Sequence, residues 1–143
     1  MVDVSEKPIG VRSARAEARI SLGSEARAAL REATLRKGDA FAVAKLAGIA
    51  AAKRTHDLIP LAHPVALTHV EITFRWDGEM LVVEASARAC DRTGVEMEAM
   101  TAAGVAALAL YDMLKSVDRE IVIERVRLLE KRGGRSGTWT VPA

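Results

Sequence analysis

Residues 14–22 alternate without a break. Ala14, Ala16, Ala18, Ile20 and Leu22 fall on one face, and Arg15, Glu17, Arg19 and Ser21 on the other. A period of two predicts a half-buried strand. Ser24 then offers an N-cap, with Ala26, Ala29, Leu30 and Ala33 following at helical spacing until Lys37-Gly38. Asp39 is placed to cap a second helix that runs to about Lys53. Pro60 and Pro64 predict a loop over residues 56–64. Val70, Ile72, Phe74 and Trp76 alternate with His69, Glu71, Thr73 and Arg75, and Asp77-Gly78 signals a two-residue turn. That turn pairs Trp76 with Glu79, Phe74 with Leu81, Ile72 with Val83 and Val70 with Ala85, which keeps the apolar faces matched. Thr93-Gly-Val-Glu96 has capping-box spacing and opens a helix to about Ser116. Residues 121–131 and 137–141 predict the last strands, separated by a glycine-rich turn.

The order strand, two helices, hairpin, helix, strands predicts an α+β fold. It matches a ferredoxin-like α/β plait with an extra helix, the helices covering one face of a mainly antiparallel sheet. No repeat or linker divides the chain, so residues 1–143 form one domain. Two helices are apolar nearly all round. Lys45 is the only charge between Ala40 and Ala52, and Asp112 the only one between Ala99 and Leu114. Such helices are buried on several sides. Both runs fall short of the ~20 residues of a membrane span, and a two-layer domain hides only one side of a helix. A homo-oligomer is therefore expected, with other subunits covering the rest.

Composition narrows the functions. A net charge of +2 is too mild to argue nucleic-acid binding. Cys90 is alone, which excludes an internal disulfide and a thiolate metal cage. His56, His63 and His69 have no metal-ligand spacing, so no metal site is expected. Met1 to Gly10 lacks the basic-then-apolar layout of a secretory signal, and a cytoplasmic chain is expected.

A few residues suggest chemistry. Asp112 shares a helical stripe with Thr101, Val105 and Leu108, where a carboxylate is costly unless paired. Lys115, three residues on, is placed to pair with it. The pair reads either as a salt bridge near a helix end or as a functional carboxylate. Lys37 sits where one helix stops and another starts, a place that attracts anions, or else lies in a plain turn. His63 is held extended by Pro64 and reads as an acid, a base or a loop histidine. Glu96 fits a capping role, with Met97 and Glu98 in the same helical turn. Along one helix Glu98 and Asp112 stand roughly 21 Å apart at ~1.5 Å per residue. One small substrate touches both only if it is long or if the site draws on a second subunit. Lys131 to Gly137 is basic and glycine-rich, suited to a polyphosphate or to a solvated turn. No Walker loop and no GxGxxG occur.

Together the motifs resemble a known family. Met1-Val-Asp-Val-Ser5, Lys37-Gly-Asp39, Ala51-Ala-Lys-Arg-Thr55, Leu58-Ile-Pro-Leu61, His63-Pro64, Thr93-Gly-Val-Glu-Met-Glu98, Ala99-Met-Thr-Ala102, Tyr111-Asp-Met113 and Gly133-Gly-Arg-Ser-Gly137 look like cyclic pyranopterin monophosphate synthase, the molybdenum cofactor biosynthesis protein C family. The resemblance covers essentially the whole chain, with its elements in order. It implies a lyase that converts 3′,8-cyclo-7,8-dihydro-GTP to cyclic pyranopterin monophosphate with release of pyrophosphate. It further implies a homohexamer built as a trimer of dimers with sites at subunit interfaces. Carried over by position, it makes Asp112 an acid or base, and Lys37 and Lys115 catalytic, phosphate-facing cations. His63 joins the site, with Leu61 and Ala62 beside the substrate. Met97 and Glu98 become contacts with Glu96 close by, and Arg12 and Lys131 become anion binders. No cofactor is required, and Mg²⁺ accompanying the triphosphate is compatible. Many relatives carry Cys where this chain has Ala62, so a thiol there is not essential here. A non-catalytic, nucleotide-binding regulatory plait is the alternative of a different class. An RNA-binding plait lacks support, because Phe74 and Trp76 share the face assigned to the core.

Overall fold

The computed structural model describes the whole chain, Met1–Ala143. Its elements run β1 (Gly10–Ser21), α1 (Ser24–Glu32), α2 (Ala40–Lys53), α3 (Thr55–Leu58), β2 (Leu67–Asp77), β3 (Met80–Asp91), α4 (Glu96–Leu114), β4 (Val122–Arg132) and β5 (Trp139–Thr140). The sheet order is β2-β3-β1-β4-β5, and every neighbouring pair is antiparallel. This is the ferredoxin-like plait with a short fifth strand at one edge.

Alanines let the helices approach the sheet closely. Ala14, Ala16, Ala18 and Ile20 of β1 and Ala85, Ala87 and Ala89 of β3 meet Ala99, Ala102, Ala103, Ala106 and Leu110 of α4 in one core. Gly48 of α2 sits so near Ala102 and Ile72 that an added Cβ would lie 2.9 Å from the Ala102 carbonyl oxygen. The α2–α4 contact thus depends on a missing side chain. Phe41 and Phe74 close the core toward β2 with ring centroids 4.8 Å apart. Arg31 lies over the Trp76 ring at 4.6 Å and ties α1 to the hairpin.

Several local expectations need correction. The hairpin pairs Asp77 with Met80, Trp76 with Leu81, Phe74 with Val83, Ile72 with Ala85 and Val70 with Ala87. Its turn is Gly78-Glu79, not Asp77-Gly78, with Gly78 at φ 60. Glycine at the first central position suits a type II′ turn, whereas Asp77-Gly78 would have forced Asp77 to positive φ. The slip spans two positions, so every side chain keeps its face. Helix α1 ends at Ala33, which takes φ 54, well before Lys37-Gly38. Its cap is Gly23, with no side-chain cap hydrogen bond, so Ser24 is the first helical residue. The proposed capping box also fails: Val95 is the cap of α4 and Glu96 its first residue. Asp39 does cap α2, accepting from the Ala42 N–H at 3.0 Å. The loop over residues 56–64 opens with the short helix α3. At 19 residues α4 is long and apolar enough to cross a membrane, yet half of it is buried in the fold's own core.

The other face of the sheet carries charge. Glu17, expected among solvated residues, is 2% exposed. Arg125 and Arg127 of β4 reach it at 2.7 and 2.9 Å, and Arg75 of β2 at 3.7 Å. Burial pushes the Glu17 carboxyl up, but hydrogen bonds from Arg125 and Arg127 outweigh it and hold the carboxyl below the usual glutamate range. Register irregularities at Arg15/Ala16 and Arg19/Ile20 bracket this stretch of the β1–β4 ladder. Between them Glu17 stands opposite Arg127. Val82 lies between Arg19 and Arg75 in the ladders and is fully buried.

Candidate active site

The ionisable residues gather at the two ends of α4. At the C-terminal end Asp112 is clasped by two lysines. Lys115 donates to one carboxylate oxygen at 2.7 Å, and Lys37 to the other at 3.2 Å and to the Asp112 carbonyl at 2.7 Å. Lys37, between α1 and α2, thereby ties that segment to the end of α4. The Asp112 side chain is 59% exposed, so the expected desolvation cost does not fall on it within one chain. The stripe it shares with Leu108 is uncovered, and Leu108 is 59% exposed. The Lys115 hydrogen bond, then that of Lys37, holds Asp112 below the usual aspartate range. Asp112 in turn raises Lys115. The cluster is a carboxylate held as an anion between two ammonium groups, which lowers its proton affinity and fixes its position.

At the N-terminal end two cavities meet. One of about 590 Å³ is lined by Leu61, Ala62, His63, Glu96, Met97 and Glu98, with Val2 and Val4 of the N-terminal arm. Glu98 is 4% exposed. Burial raises its carboxyl above the usual glutamate range, and the neighbouring Glu96 and Asp91 add to the effect. His63 Nε2 donates to the Val2 carbonyl at 2.7 Å. The carbonyl can only accept, so that nitrogen carries a proton, and in the neutral ring Nδ1 keeps its lone pair.

The second cavity, of about 600 Å³, holds Arg12, Glu96 and Lys131 together with Lys7, Arg92 and the Gly133–Ser136 loop. Arg12 is buried and donates to the carbonyls of Asp91 and Pro8. A side chain at Gly134 would strike its guanidinium at 2.5 Å, and Gly134 has φ 80. Gly133 is the stricter position, since it has φ 95 and an added Cβ would lie 2.4 Å from the Val11 carbonyl oxygen, so it requires glycine on two counts. Lys131 donates to the Gly133 carbonyl at 3.3 Å and to the Ser136 hydroxyl, which orders the loop.

The structure thus brings Leu61, Ala62, His63, Glu96, Met97 and Glu98 together, and Arg12, Glu96 and Lys131 together. It leaves Lys37, Asp112 and Lys115 apart from both groups. Sequence reasoning missed Lys7 and Arg92, which line the cavities from the arm and from the turn after β3. A lysine fixed before Pro8, just past the Val-Asp-Val-Ser motif, was the available signal. Cys90, next to last in β3, is exposed and lines neither cavity.

A plait with opposed carboxylates, a histidine and basic loops at the ends of one helix has the layout of an acid–base enzyme for an anionic substrate. Residues 1–134 match the model of the MoaC family, and the chain belongs to that family. It is similar to a protein of Thermomicrobium roseum named cyclic pyranopterin monophosphate synthase. The two are 55% identical over 141 residues, covering 97% of this chain and 85% of the relative.

Proposed function

We propose that this protein is a cyclic pyranopterin monophosphate synthase of molybdenum cofactor biosynthesis. It acts on 3′,8-cyclo-7,8-dihydro-GTP and releases pyrophosphate. The observation that carries the reading is the near full-length similarity to a relative of that name, in a chain whose two cavities gather His63, Glu98, Arg12 and Lys131. Ring opening and closure need proton transfers, for which His63, Glu98 and Asp112 are the candidates. Departure of pyrophosphate needs fixed positive charge, which Lys37, Lys115, Arg12 and Lys131 supply. Mg²⁺ with the triphosphate is compatible with this chemistry, and no resident cofactor is invoked. A cytoplasmic location belongs to the same reading.

The site is shared between subunits of a homohexamer, a trimer of dimers. Asp112 and Glu98 lie at opposite ends of one unbroken helix, roughly 21 Å apart at ~1.5 Å per residue. Val43 and Leu46 of α2 and Leu108 of α4 are exposed apolar side chains, and a second copy is their natural cover.

Incubation of the pure protein with the cyclic dihydro-GTP, followed by mass detection, tests the activity. Cyclic pyranopterin monophosphate and pyrophosphate appear together if the reading is right. Binding without either product, in folded and assembled protein, points instead to the regulatory plait. Mixing inactive Asp112→Asn and Glu98→Gln subunits tests the sharing. Activity returns when an intact Asp112 from one subunit meets an intact Glu98 from another. No return after verified subunit exchange places each site within one chain.

A further inference from the structure

The first nine residues form no helix or strand, yet side chains from distant elements hold their carbonyls at four points. His63 donates to Val2, and Arg12 to Pro8. Arg92 Nη1 donates to both Ser5 at 2.9 Å and Lys7 at 2.7 Å. Within the arm, the Lys7 N–H returns to the Val4 carbonyl at 3.0 Å, and Asp3 accepts from the Ser5 N–H at 2.9 Å. The Ser5 hydrogen bonds hold the Asp3 carboxyl below the usual aspartate range. A compact turn over residues 4–7 is thus tied to the body chiefly by one guanidinium.

That tie sits where the cavities meet. Lys7 is one of the residues that line both, with Thr93, Gly94 and Glu96 of the segment just after Arg92. Arg92 itself is anchored by its own N–H, which donates to the Asp91 carboxylate at 2.6 Å. An unstructured arm has many conformations, and fixing it requires bonds that outweigh the entropy lost. Charge-assisted bonds to carbonyls are among the stronger means available.

We propose that Arg92 is a positioning residue: it straps the N-terminal arm across the junction of the two cavities and so holds Lys7 at the substrate. The kinetic part rests on the functional reading above, and the structural part does not. Without Arg92 the turn over residues 4–7 loosens between its remaining ties at Val2 and Pro8, Lys7 is no longer held in place, and substrate binds more weakly while the chemistry at Asp112 and Glu98 is untouched.

Two measurements test this. Hydrogen exchange on the N-terminal peptide needs no substrate, and in Arg92→Ala the Lys7 amide exchanges faster than in wild type. Steady-state kinetics on Lys7→Ala, Arg92→Ala and the double variant give the coupling. Each single variant raises KM by about tenfold, the size of one lost charged hydrogen bond, with kcat changed little. The double variant is no worse than Lys7→Ala, because Arg92 acts through Lys7. KM effects that multiply, a kcat loss at unchanged KM, or unaltered exchange each overturn the proposal. If Arg92→Ala does not fold, Arg92→Lys, which keeps one donor group, replaces it and gives an intermediate shift in both measurements. A wild-type protein that makes no product defeats the functional reading and leaves the exchange result standing.

Discussion

Glu98 and Asp112 are carboxylates on one helix, and their surroundings drive them in opposite directions. Glu98, in the first turn of α4, is packed against the core, faces other acids and is raised. Asp112, in the last turn, is open to solvent, gripped by two lysines and lowered. Of the two, the first keeps its proton to higher pH and the second stays an anion to lower pH. Pairs of groups with pKa values pushed apart divide acid from base roles. Here one helix performs the separation, by burying one end and leaving the other wet.

Removing the charge at each end tests this contrast most strongly. Asp112→Asn is expected to lower turnover by on the order of 10²–10⁴-fold, the range of a lost acid–base group. Its melting temperature falls only slightly at neutral pH, because the ion cluster is exposed. Product formation read beside circular dichroism checks both statements, and normal turnover would remove Asp112 from the mechanism. Glu98→Gln is expected to lower turnover by about 10²-fold, the lower part of that range, since the amide still fills the cavity wall. Unlike the Asp112 variant, it melts higher than wild type at alkaline pH.

The pH dependence sharpens the comparison. Glu98 binds its proton more tightly in the folded chain. The stability this supplies is present below the ordinary glutamate range and is lost as pH rises through the raised value. Glu98→Gln never charges, so its advantage over wild type grows across that rise and then levels. Asp112 behaves as the mirror image. Its stabilisation is present above the ordinary aspartate range and is lost as pH falls through the lowered value. Melting temperatures across pH for both variants and wild type give two differences of opposite slope, and parallel curves would refute the assigned environments. Gly48→Ala provides a control between the ends. It crowds Ala102 and Ile72, costs about 1–3 kcal/mol in a urea titration, and leaves both slopes in place.

The fold was legible in the sequence wherever a period ran long enough. The clean alternation of β1 and β2 and the apolar runs of α2 and α4 gave the plait, because burial on a pleated or helical face imposes those spacings. Turn and cap chemistry was less legible. Asp77-Gly78 and Thr93-x-x-Glu96 carried the right residue types, but φ at Gly78 and the entry of the chain into α4 are decided by neighbours far along the sequence. Glu17 looked like any residue on a polar face, since its burial comes from Arg75, Arg125 and Arg127 on two other strands. Within the site, motifs led to Asp112, Lys37 and Glu98. Arg92 escaped notice because its partners are carbonyls, which any sequence supplies.

The first strand of the chain is the middle strand of the sheet. Gly10 to Ile20 pair with Leu81 to Asp91 on one side, and Ser13 to Ser21 with Val122 to Arg132 on the other. During synthesis β1 therefore waits without a ladder partner until most of the chain has emerged, and contacts of such long sequence separation form slowly. The arm waits longer than the hairpin, because its fastening residue follows β3. The basic loop after β4 arrives later still. A nascent chain stopped after α4 already has the hairpin and the paired helices, but it presents β1 with an open edge and no floor to the basic cavity. Such an intermediate is prone to pair with another nascent copy, so chaperone dependence in this protein should centre on its earliest-made strand.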